Sequence, residues 1–423
     1  MVVSLSSGRV SRRSWRKTRT SAKRGEEGDI KYLHRRSRDR SLEKTDSCII
    51  LMETWWVRME LQQTISLSNS IQACRRLTAL ANSNFAPAFA LLPSAKRQAM
   101  EILYAYTRFT DDLADLPDFN VVTGSTIQVS PRRQKQKFNQ WIGAIEAVFG
   151  RIDDENVPEI DPHDDHAFQQ IAQQFPGCAG VIFLPALKMI VDKYKIPREP
   201  LFHLIDGVES DMEPKPFGTF EDSVDYCHQV ATSVGFASLA IWGTTEPLFS
   251  DPVIKAAKAC GVAFQWTNII RDMLEDYRRG RIYLPQSELQ RFGLTDKQFG
   301  SILDGADWAA QKKPPKKMSA RDKRDHQNMI EEMGKFEEKF LKLISHQLNR
   351  CTVYYENSYP LYHLIHRDSR RAFGLMWNYY YALFQKISKQ PLCITRSNRV
   401  RLSSYQKSQL WFYWRFMPCF RLH

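Results

Sequence analysis

Two helical stretches of this chain carry polar residues in phase on otherwise apolar sequence, and this feature constrains the fold most. Residues three or four positions apart lie on the same face of a helix. One face of residues 103–115 therefore collects four polar side chains, namely Tyr104, Arg108, Asp111 and Asp115. The other faces are mainly apolar, and Asp112 is predicted to point away from this stripe.

The second stretch, residues 261–276, repeats the pattern. Its polar face collects, at spacings of three, four and four, Gln265, Asn268, Asp272 and Asp276. Apolar residues such as Trp266, Ile269 and Ile270 cover the other faces. Burying carboxylates along an apolar helix is costly unless their charge is compensated. The pattern therefore predicts two helices that face each other, with a compensating ligand between them.

Divalent cations are the compensating ligands that suit these side chains. Mg²⁺ prefers hard oxygen ligands and commonly bridges one or two carboxylates to substrate phosphates, which makes a diphosphate a better leaving group. A single D-x-x-x-D is usually a solvated acidic face, and arginines at a helix end usually favour the helix dipole. Two in-phase copies on apolar helices favour a diphosphate site instead. Further phosphate contacts are expected from Arg108, Arg271, Arg278, Arg279 and Arg281.

Helical periodicity dominates the rest of the chain, so the sequence predicts an all-α fold. A helical region is expected over residues 68–116, with one break at Leu92 and Pro93. Pro117 is expected to end it, because proline cannot continue the backbone hydrogen-bond ladder. Residues 120–131 are expected to form a loop, and strand-type alternation is nearly absent. Further helices are predicted at residues 134–149, 178–194, 198–212, 220–242, 251–278, 322–348 and 360–389.

The net charge of +13 is unevenly distributed along the chain. Residues 1–50 contain 14 Lys or Arg and 6 Asp or Glu, a net charge of +8, so the other 373 residues carry +5. The body is only mildly basic, which suits anionic substrates or an anionic membrane surface as well as it suits nucleic acid. A nucleic-acid interpretation would depend on residues 1–50 alone, and no nucleic-acid partner is expected. Residues 1–60 are expected to form a disordered basic arm, with Met52 and Met59 as alternative start sites.

Other kinds of metal or redox site find little support. None of the eight cysteines forms a C-x-x-C pair, which argues against zinc and thioredoxin-type sites and favours reduced thiols. Residues 161–166 contain three aspartates and two histidines, but their spacing matches no standard metal motif. Asp165 is predicted to cap the following helix instead. The sequence contains no run of 18 uncharged apolar residues, so no membrane-spanning helix is predicted.

Three stretches together resemble the squalene/phytoene synthase family. Residues 84–115 are similar to its first substrate-binding region and first aspartate-rich motif. Residues 226–235 (YCHQVATSVG) resemble its kinked central helix, and residues 261–285 (GVAFQWTNIIRDMLEDYRRGRIYLP) resemble its second aspartate-rich motif. The resemblance extends over residues 84–403. It implies a single-domain isoprenoid synthase fold, with helices around a central apolar cavity and the catalytic domain at residues 68–405.

The resemblance also assigns roles to residues at matching positions. It implies that the catalytic aspartates are Asp111, Asp115, Asp272 and Asp276, and that these four bind the metal ions together with Asn268. It implies substrate contacts from Tyr104, Arg108, Tyr226, Gln265, Asn268, Arg271 and Arg399. Further residues that it assigns to the substrate region are Asp211 and either Tyr380 or Tyr381.

The activity that the resemblance implies is that of a prenyltransferase joining two prenyl diphosphates head to head with two or three Mg²⁺ ions. Residues 84–93 and 278–289 resemble bacterial squalene-pathway members and favour two farnesyl diphosphates, giving presqualene diphosphate or squalene through a cyclopropyl intermediate. Phytoene synthesis from two geranylgeranyl diphosphates is the alternative. NADPH is needed only for a reaction that proceeds to squalene, and the chain has no G-x-G-x-x-G fingerprint. A non-catalytic helical scaffold is the alternative of another class.

Residues 406–423 form an aromatic and basic tail that matches no family feature. Its aromatic residues, Trp411, Phe412, Trp414 and Phe416, suit a membrane interface. They also suit a poorly ordered tail, which the sequence favours because it has no long helical stripe. The protein is therefore expected in the cytoplasm, with peripheral contact to the inner face of a membrane as an open alternative. The sequence leaves the oligomeric state open.

Overall fold

Helices make up nearly all of the secondary structure in the described part of the chain, as predicted. The computed structural model describes residues 65–81, 83, 85–115, 118–120, 125–127, 130–154, 158–304, 319–395 and 399–416. The predicted arm at 1–60, Pro117 and the tail residues 417–423 lie outside this part. Within it, no helix is both long enough and apolar enough to cross a membrane, and its six cysteines form no disulfide.

The first predicted helical region is divided into three helices: α1 Leu67–Leu80, α2 Ala86–Phe89 and α3 Ser94–Asp115. Ser66 caps α1, because its hydroxyl accepts a hydrogen bond from the Asn69 N–H at 3.3 Å. The helix α3 starts after Pro93, as expected, but a second break separates α1 from α2. The helices α1 and α3 pack together, and the Thr78 hydroxyl donates to the Glu101 carbonyl at 3.0 Å.

A short antiparallel hairpin follows α3, where the sequence predicted a loop over residues 120–131. Its strands are β1 Asp118–Asn120 and β2 Ser125–Ile127. The loop prediction was wrong for β2, because the β-branched Thr126 and Ile127 favour extended backbone. The helix α4 Pro131–Phe149 starts three residues earlier than predicted, because Ser130 caps it and proline suits the first helical position.

Short helices from the middle of the chain pack against α3 and α4. They are α5 Asp165–Gln174, the 3₁₀ turn Ala179–Phe183, α6 Leu184–Tyr194 and α7 Glu199–Ser210. The residue that caps α5 is Asp164, whose Oδ1 accepts a hydrogen bond from the Ala167 N–H at 3.0 Å. The predicted cap, Asp165, is instead the first helical residue, where a negative charge favours the helix dipole.

The central helix predicted at residues 220–242 is interrupted by one turn of π-helix, His228–Thr232. This turn separates α8 Phe220–Cys227 from α9 Ser233–Trp242. Single π turns inside α-helices are frequent at functional sites. The helix α7 approaches the turn through Gly207, where an added Cβ would lie 2.6 Å from the Val230 side chain.

The helix α10 Asp251–Arg278 has the predicted bounds and carries the second polar stripe. Pro252 lies in its first turn, which suits a helix start. The helix crosses the π turn at Gly261, where an added Cβ would lie 2.8 Å from both the backbone N and the Cα of Thr232. This close approach sets the position of the polar stripe relative to the central helix.

The C-terminal part begins with the short helix α11 Gln286–Arg291. The elements that follow pack on α10, and they are α12 Asp296–Leu303, α13 Ala320–Ser358, α14 Leu361–Leu364, α15 Arg370–Lys389 and the 3₁₀ turn Pro391–Thr395. The helix α13 is longer at both ends than predicted, and a capping box of Ser319 and Asp322 starts it. It runs along α10, where the Thr267 and Tyr355 hydroxyl groups share a hydrogen bond of 2.8 Å.

Residues 404–416 form the helix α16 Ser404–Phe416, so the expectation of a poorly ordered tail was wrong for this segment. Trp414 is fully buried against Gly374 of α15, where any Cβ would lie 2.2 Å from its indole ring. The Tyr379 hydroxyl also donates to the Lys407 carbonyl at 3.0 Å. One large side chain packed on one glycine anchors this helix, which therefore forms without a long apolar stripe.

Candidate active site

The second polar stripe meets a cationic residue from the C-terminal segment. The Asp272 carboxylate accepts two hydrogen bonds from each of two guanidinium groups. Arg271 Nε and Nη2 donate to Oδ1 and Oδ2 at 2.7 and 2.5 Å, and Arg399 donates in the same way at 2.7 and 2.5 Å. Charge-assisted bidentate pairs are among the stronger hydrogen-bonded contacts in proteins. Three of the predicted site residues are therefore in direct contact.

These two arginines control the ionisation of Asp272. Its side chain is only 11% exposed, and burial alone raises the pKa of a carboxyl group. The guanidinium groups of Arg271 and Arg399 outweigh burial and lower the pKa of Asp272 to about 2. Asp272 is therefore ionised at neutral pH, where its charge is balanced by arginine.

Asp276, one helical turn further along α10, has the opposite character. Burial and the neighbouring carboxylates of Asp272 and Glu275 raise its pKa to about 8, against the opposing effect of Arg281 and Arg279. Like charges close together disfavour ionisation. Without metal, Asp276 therefore keeps its proton at neutral pH, and a bound cation would favour its ionised form.

Asn268 supplies a buried oxygen that no group in the described part of the chain satisfies. Its Nδ2 donates to Gln265 Oε1 at 3.4 Å, but its Oδ1 is buried and has no hydrogen-bond partner among the described residues. A buried polar atom without a partner is costly, and a hard cation would satisfy an amide oxygen in this position. The oxygen donors of this stripe therefore fit magnesium in kind.

No three His, Cys, Asp or Glu side chains converge on a common point among the residues described. The predicted donor set differs from such a cluster in two ways. It includes the amide of Asn268, and it includes Asp115, whose side chain lies outside the described part. The metal assignment of Asp111, Asp115, Asn268, Asp272 and Asp276 stays a prediction.

The first polar stripe is centred on Arg108 in α3. Its Nη2 lies 2.5 Å from Asp112 Oδ1, and its Nη1 lies 3.8 Å from Asp111 Oδ2. The expectation that Asp112 points away from the stripe was wrong, because positions three and four after Arg108 both border its face of the helix. Asp112 is 11% exposed, whereas Asp111 is 53% exposed and lies on the open side.

A series of aromatic contacts connects the two stripes. Tyr104 of α3 contacts Phe89 of α2 edge to face, with ring centroids 6.2 Å apart. At the other end of α2, Phe85 stacks on Tyr380 at 5.4 Å. Tyr380 in turn stacks on Phe264 of α10 at 4.4 Å. Aromatic contacts therefore link α2 to α3 directly and to α10 through Tyr380 of α15.

Of the two tyrosines that the sequence left open, Tyr380 is the one beside the stripe. It interacts with the Asn268 side chain, and burial raises its pKa despite the nearby charge of Arg271. Tyr381 instead stacks on Trp377 at 4.8 Å. The two tyrosines are adjacent in the sequence, so only the packing of α15 on α10 shows which of them lies beside the stripe.

Tyr226 belongs to a second hydrogen-bonded cluster, built around the Asp211 carboxylate. Tyr226 and Tyr283 each donate a phenol hydrogen bond to it at 2.8 Å, and their rings stack at 4.9 Å. Arg281 Nη2 donates to the Asp211 carbonyl at 2.9 Å. Burial and the Asp211 charge raise the pKa of Tyr226 well above its ordinary value. Sequence reasoning missed Tyr283, whose only signal was its position just after the second stripe.

The three arginines after the second stripe have different partners. Arg281 joins the Asp211 cluster and also lowers the pKa of Asp276. Arg278 pairs with Asp304 at 2.6 Å and Arg279 with Glu275 at 2.9 Å. Of the run that the sequence proposed for phosphate contacts, Arg281 is thus the member linked both to Asp276 and to the Asp211 cluster.

The raised pKa of Asp276 leads to a prediction for metal-free protein. Because the pKa in the folded state is about 8, above the ordinary value of 3.8, the folded protein binds this proton more tightly than the unfolded chain does. Ionisation therefore reduces stability as pH rises between those values. We expect Asp276→Asn to raise the melting temperature in EDTA by about 2–4 °C near pH 9 and to have little effect near pH 4, close to the ordinary pKa of 3.8.

The control for this measurement is Asp153→Asn, since the Asp153 side chain is 79% exposed. Its melting temperature should follow that of the unaltered protein at both pH values. Equal stabilisation by Asp276→Asn at low and high pH would contradict the assignment of a raised pKa.

The sequence is similar to one family of known proteins. The family model for squalene/phytoene synthase matches residues 79–311. A 15-cis-phytoene synthase of Synechococcus elongatus is 32% identical over 252 residues, which are 56% of this chain and 68% of the relative. A phytoene synthase of Arthrospira platensis is 32% identical over 247 residues, covering 56% and 67%. A chloroplastic phytoene synthase of Zea mays is 31% identical, covering 49% and 42%.

Solved structures with the same arrangement of helices come from the same group of enzymes. A dehydrosqualene synthase in complex with a ligand superposes with a TM-score of 0.55 at 23% identity, covering 82% of this chain and 96% of the other. A squalene synthase of Alicyclobacillus acidocaldarius superposes with a TM-score of 0.51 at 20% identity, covering 77% and 95%. At these identities the similarity shows the isoprenoid synthase fold.

Proposed function

The chain belongs to the squalene/phytoene synthase family, whose members are prenyltransferases, and from this premise we propose that it condenses two identical prenyl diphosphates head to head. The relatives quoted above are named phytoene synthases, which supports two geranylgeranyl diphosphates as the first candidate substrates. The sequences of residues 84–93 and 278–289 resemble those of bacterial squalene-pathway members. They support two farnesyl diphosphates as the second candidate substrates, leading to presqualene diphosphate or squalene.

The observation that carries the proposal is the environment of Asp272. An ionised carboxylate held by two bidentate arginines lies one turn from the Asn268 oxygen and one turn from Asp276, whose raised pKa a bound cation would lower. Arginine forks match phosphate oxygens as well as carboxylates. A diphosphate entering this site finds cationic donors that are already positioned, and carboxylates that need a cation once those donors leave.

The residues that would hold Mg²⁺ in this proposal are Asp111, Asp115, Asn268, Asp272 and Asp276. Bound there, the cations would neutralise the diphosphate and make it a better leaving group. Arginine, tyrosine and other aromatic side chains make the remaining contributions to catalysis.

Arg271 and Arg399 exchange partners in this mechanism. Their Nε and Nη2 donors point at the two Asp272 oxygens and would turn to the oxygens of the diphosphate, which leaves the Asp272 carboxylate free as a ligand. Arg108, in the first polar stripe, would make the same exchange, from the Asp112 carboxylate to a phosphate oxygen. Each exchange replaces one charge-assisted pair by another, so little hydrogen bonding is lost on binding.

Tyr226 and the aromatic residues have a different task. Because Asp211 and burial keep the pKa of Tyr226 high, its phenol retains its proton and acts as a hydrogen-bond donor rather than a base. Phe264 and Tyr380 form an apolar wall next to Asn268. Such walls exclude water from an allylic cation, and ring faces stabilise positive charge.

The proposal is tested by identifying products after the full chain is incubated with each prenyl diphosphate, with and without MgCl₂ and NADPH. We expect magnesium-dependent turnover of geranylgeranyl diphosphate to a product with the mass of phytoene or its cyclopropyl precursor. Turnover of farnesyl diphosphate alone would favour the second candidate, and dependence on NADPH would identify squalene as its product. Absence of turnover with either substrate would contradict the proposal and favour a non-catalytic scaffold.

A further inference from the structure

The helix α16 presents an aromatic stripe to solvent. Tyr405, Phe412 and Phe416 are 71%, 57% and 66% exposed. At about 100° per residue, positions separated by seven and eleven fall within about 40° of one another on a helix. The rings of Phe412 and Phe416 also stack, with centroids 6.1 Å apart. Three large side chains thus form one continuous face on the outside of the last described helix.

This face belongs to a helix that is firmly attached. Its opposite side is held by the fully buried Trp414 on Gly374 and by the hydrogen bond from Tyr379 to the Lys407 carbonyl. The aromatic stripe is therefore displayed in a defined orientation, and burying it on a partner would not require the helix to fold first.

The C-terminal part of the sequence, which contains this face, is basic. Residues 369–423 contain ten Lys or Arg and no Asp or Glu. Arg401 and Arg415 are exposed, the first just before α16 and the second within it, between Phe412 and Phe416. Aromatic side chains next to clustered basic residues are typical of helices that lie in the interface of an anionic membrane.

The helix that carries this face also contacts α2. Trp411, next to Phe412, donates its indole N–H to the Pro87 carbonyl of α2 at 3.3 Å. Phe89 of the same short helix contacts Tyr104 of the first polar stripe. A surface on which α16 rests would therefore lie close to α2, which contacts the first polar stripe.

From these observations we propose that α16 docks the protein on an anionic membrane surface. Tyr405, Phe412 and Phe416 enter the boundary between headgroups and acyl chains, while Arg401 and Arg415 contact anionic headgroups. The docked helix places α2 next to the lipid phase. This inference concerns a surface outside the proposed catalytic machinery, so it stands or fails independently of the proposed reaction.

The test uses the full chain and co-sedimentation with vesicles. We expect binding to vesicles of phosphatidylcholine mixed with phosphatidylglycerol, weak binding to phosphatidylcholine alone, and weaker binding as salt increases. The combined variant Tyr405→Ser, Phe412→Ser, Phe416→Ser should bind about ten-fold or more weakly. Replacing Arg401 and Arg415 by glutamine should weaken binding about five-fold for each charge removed.

The matched control is Phe249→Ser, because Phe249 is exposed to the same 57% as Phe412 but lies in the loop before α10. It should bind vesicles like the unaltered protein, and every variant should keep its circular dichroism melting curve. Equal binding by the triple serine variant, or absence of vesicle binding by the unaltered protein, would overturn the proposal. So would conversion of an oligomer to a monomer by the triple variant, since the face would then join two copies of the chain.

Discussion

Replacing Asp272 by alanine should reduce turnover about a thousand-fold while the helical circular dichroism spectrum stays unchanged. This carboxylate is the point at which Arg271 and Arg399 meet, and it is the ionised member of the stripe at neutral pH. Without it, the two guanidinium groups lose their common partner and the proposed cation site loses a ligand. The measurement is the rate of product formation from the prenyl diphosphate that the assay above identifies.

The asparagine variant separates loss of charge from loss of packing. Asp272→Asn keeps the size of the side chain and one acceptor oxygen, so it should fold like the unaltered protein and still lack turnover. The control is Asp304→Ala, which removes a half-exposed aspartate that pairs with Arg278, a residue at the end of α10. That variant should stay within about two-fold of normal turnover, because exposed ion pairs contribute little. Near-normal activity of either Asp272 variant would contradict the assignment.

Replacing Gly261 by valine should destabilise the protein by more than about 3 kcal/mol. A Cβ at this position would lie 2.8 Å from the backbone N and Cα of Thr232 and 2.2 Å from its hydroxyl oxygen. Backbone atoms of a packed helix cannot move aside as a flexible side chain can, so α10 would separate from the π turn. Urea denaturation measures the loss, which should be smaller for Gly261→Ala.

Gly235 provides the matched control for this substitution. It lies in the adjoining helix α9, and an added Cβ there would meet no atom within 4 Å. Gly235→Val should therefore change the unfolding free energy by less than about 1 kcal/mol, the range of helix propensities. A Gly261→Val protein as stable as the Gly235→Val protein would show that the close helix approach is not required.

Much of the fold could be predicted because helices leave a periodic pattern in the sequence. The bounds of α10 were correct because Asp251 and Pro252 mark a helix start and because polar and apolar residues then alternate with helical spacing. The same periodicity placed Gln265, Asn268, Asp272 and Asp276 on one face. Residues assigned through the family resemblance, including Asp111 and Asp115, remain predictions for the metal site.

Other features depend on contacts between segments far apart in the chain. Arg399 pairs with Asp272 across 127 positions, and Tyr226 and Tyr283 meet at Asp211 through the packing of different helices. A contact of this kind leaves no periodic trace, so sequence patterns do not report it.

The sequence by itself determined an all-helical chain with two in-phase polar stripes, because helical geometry is a local property with a fixed repeat. Only the tertiary structure decided that α16 is a helix held by Trp414 on Gly374, that the central helix contains a π turn, and that Tyr380 rather than Tyr381 lies beside Asn268. Each of these depends on how closely two helices approach. That distance is set by side chains on both partners together and by neither sequence segment alone.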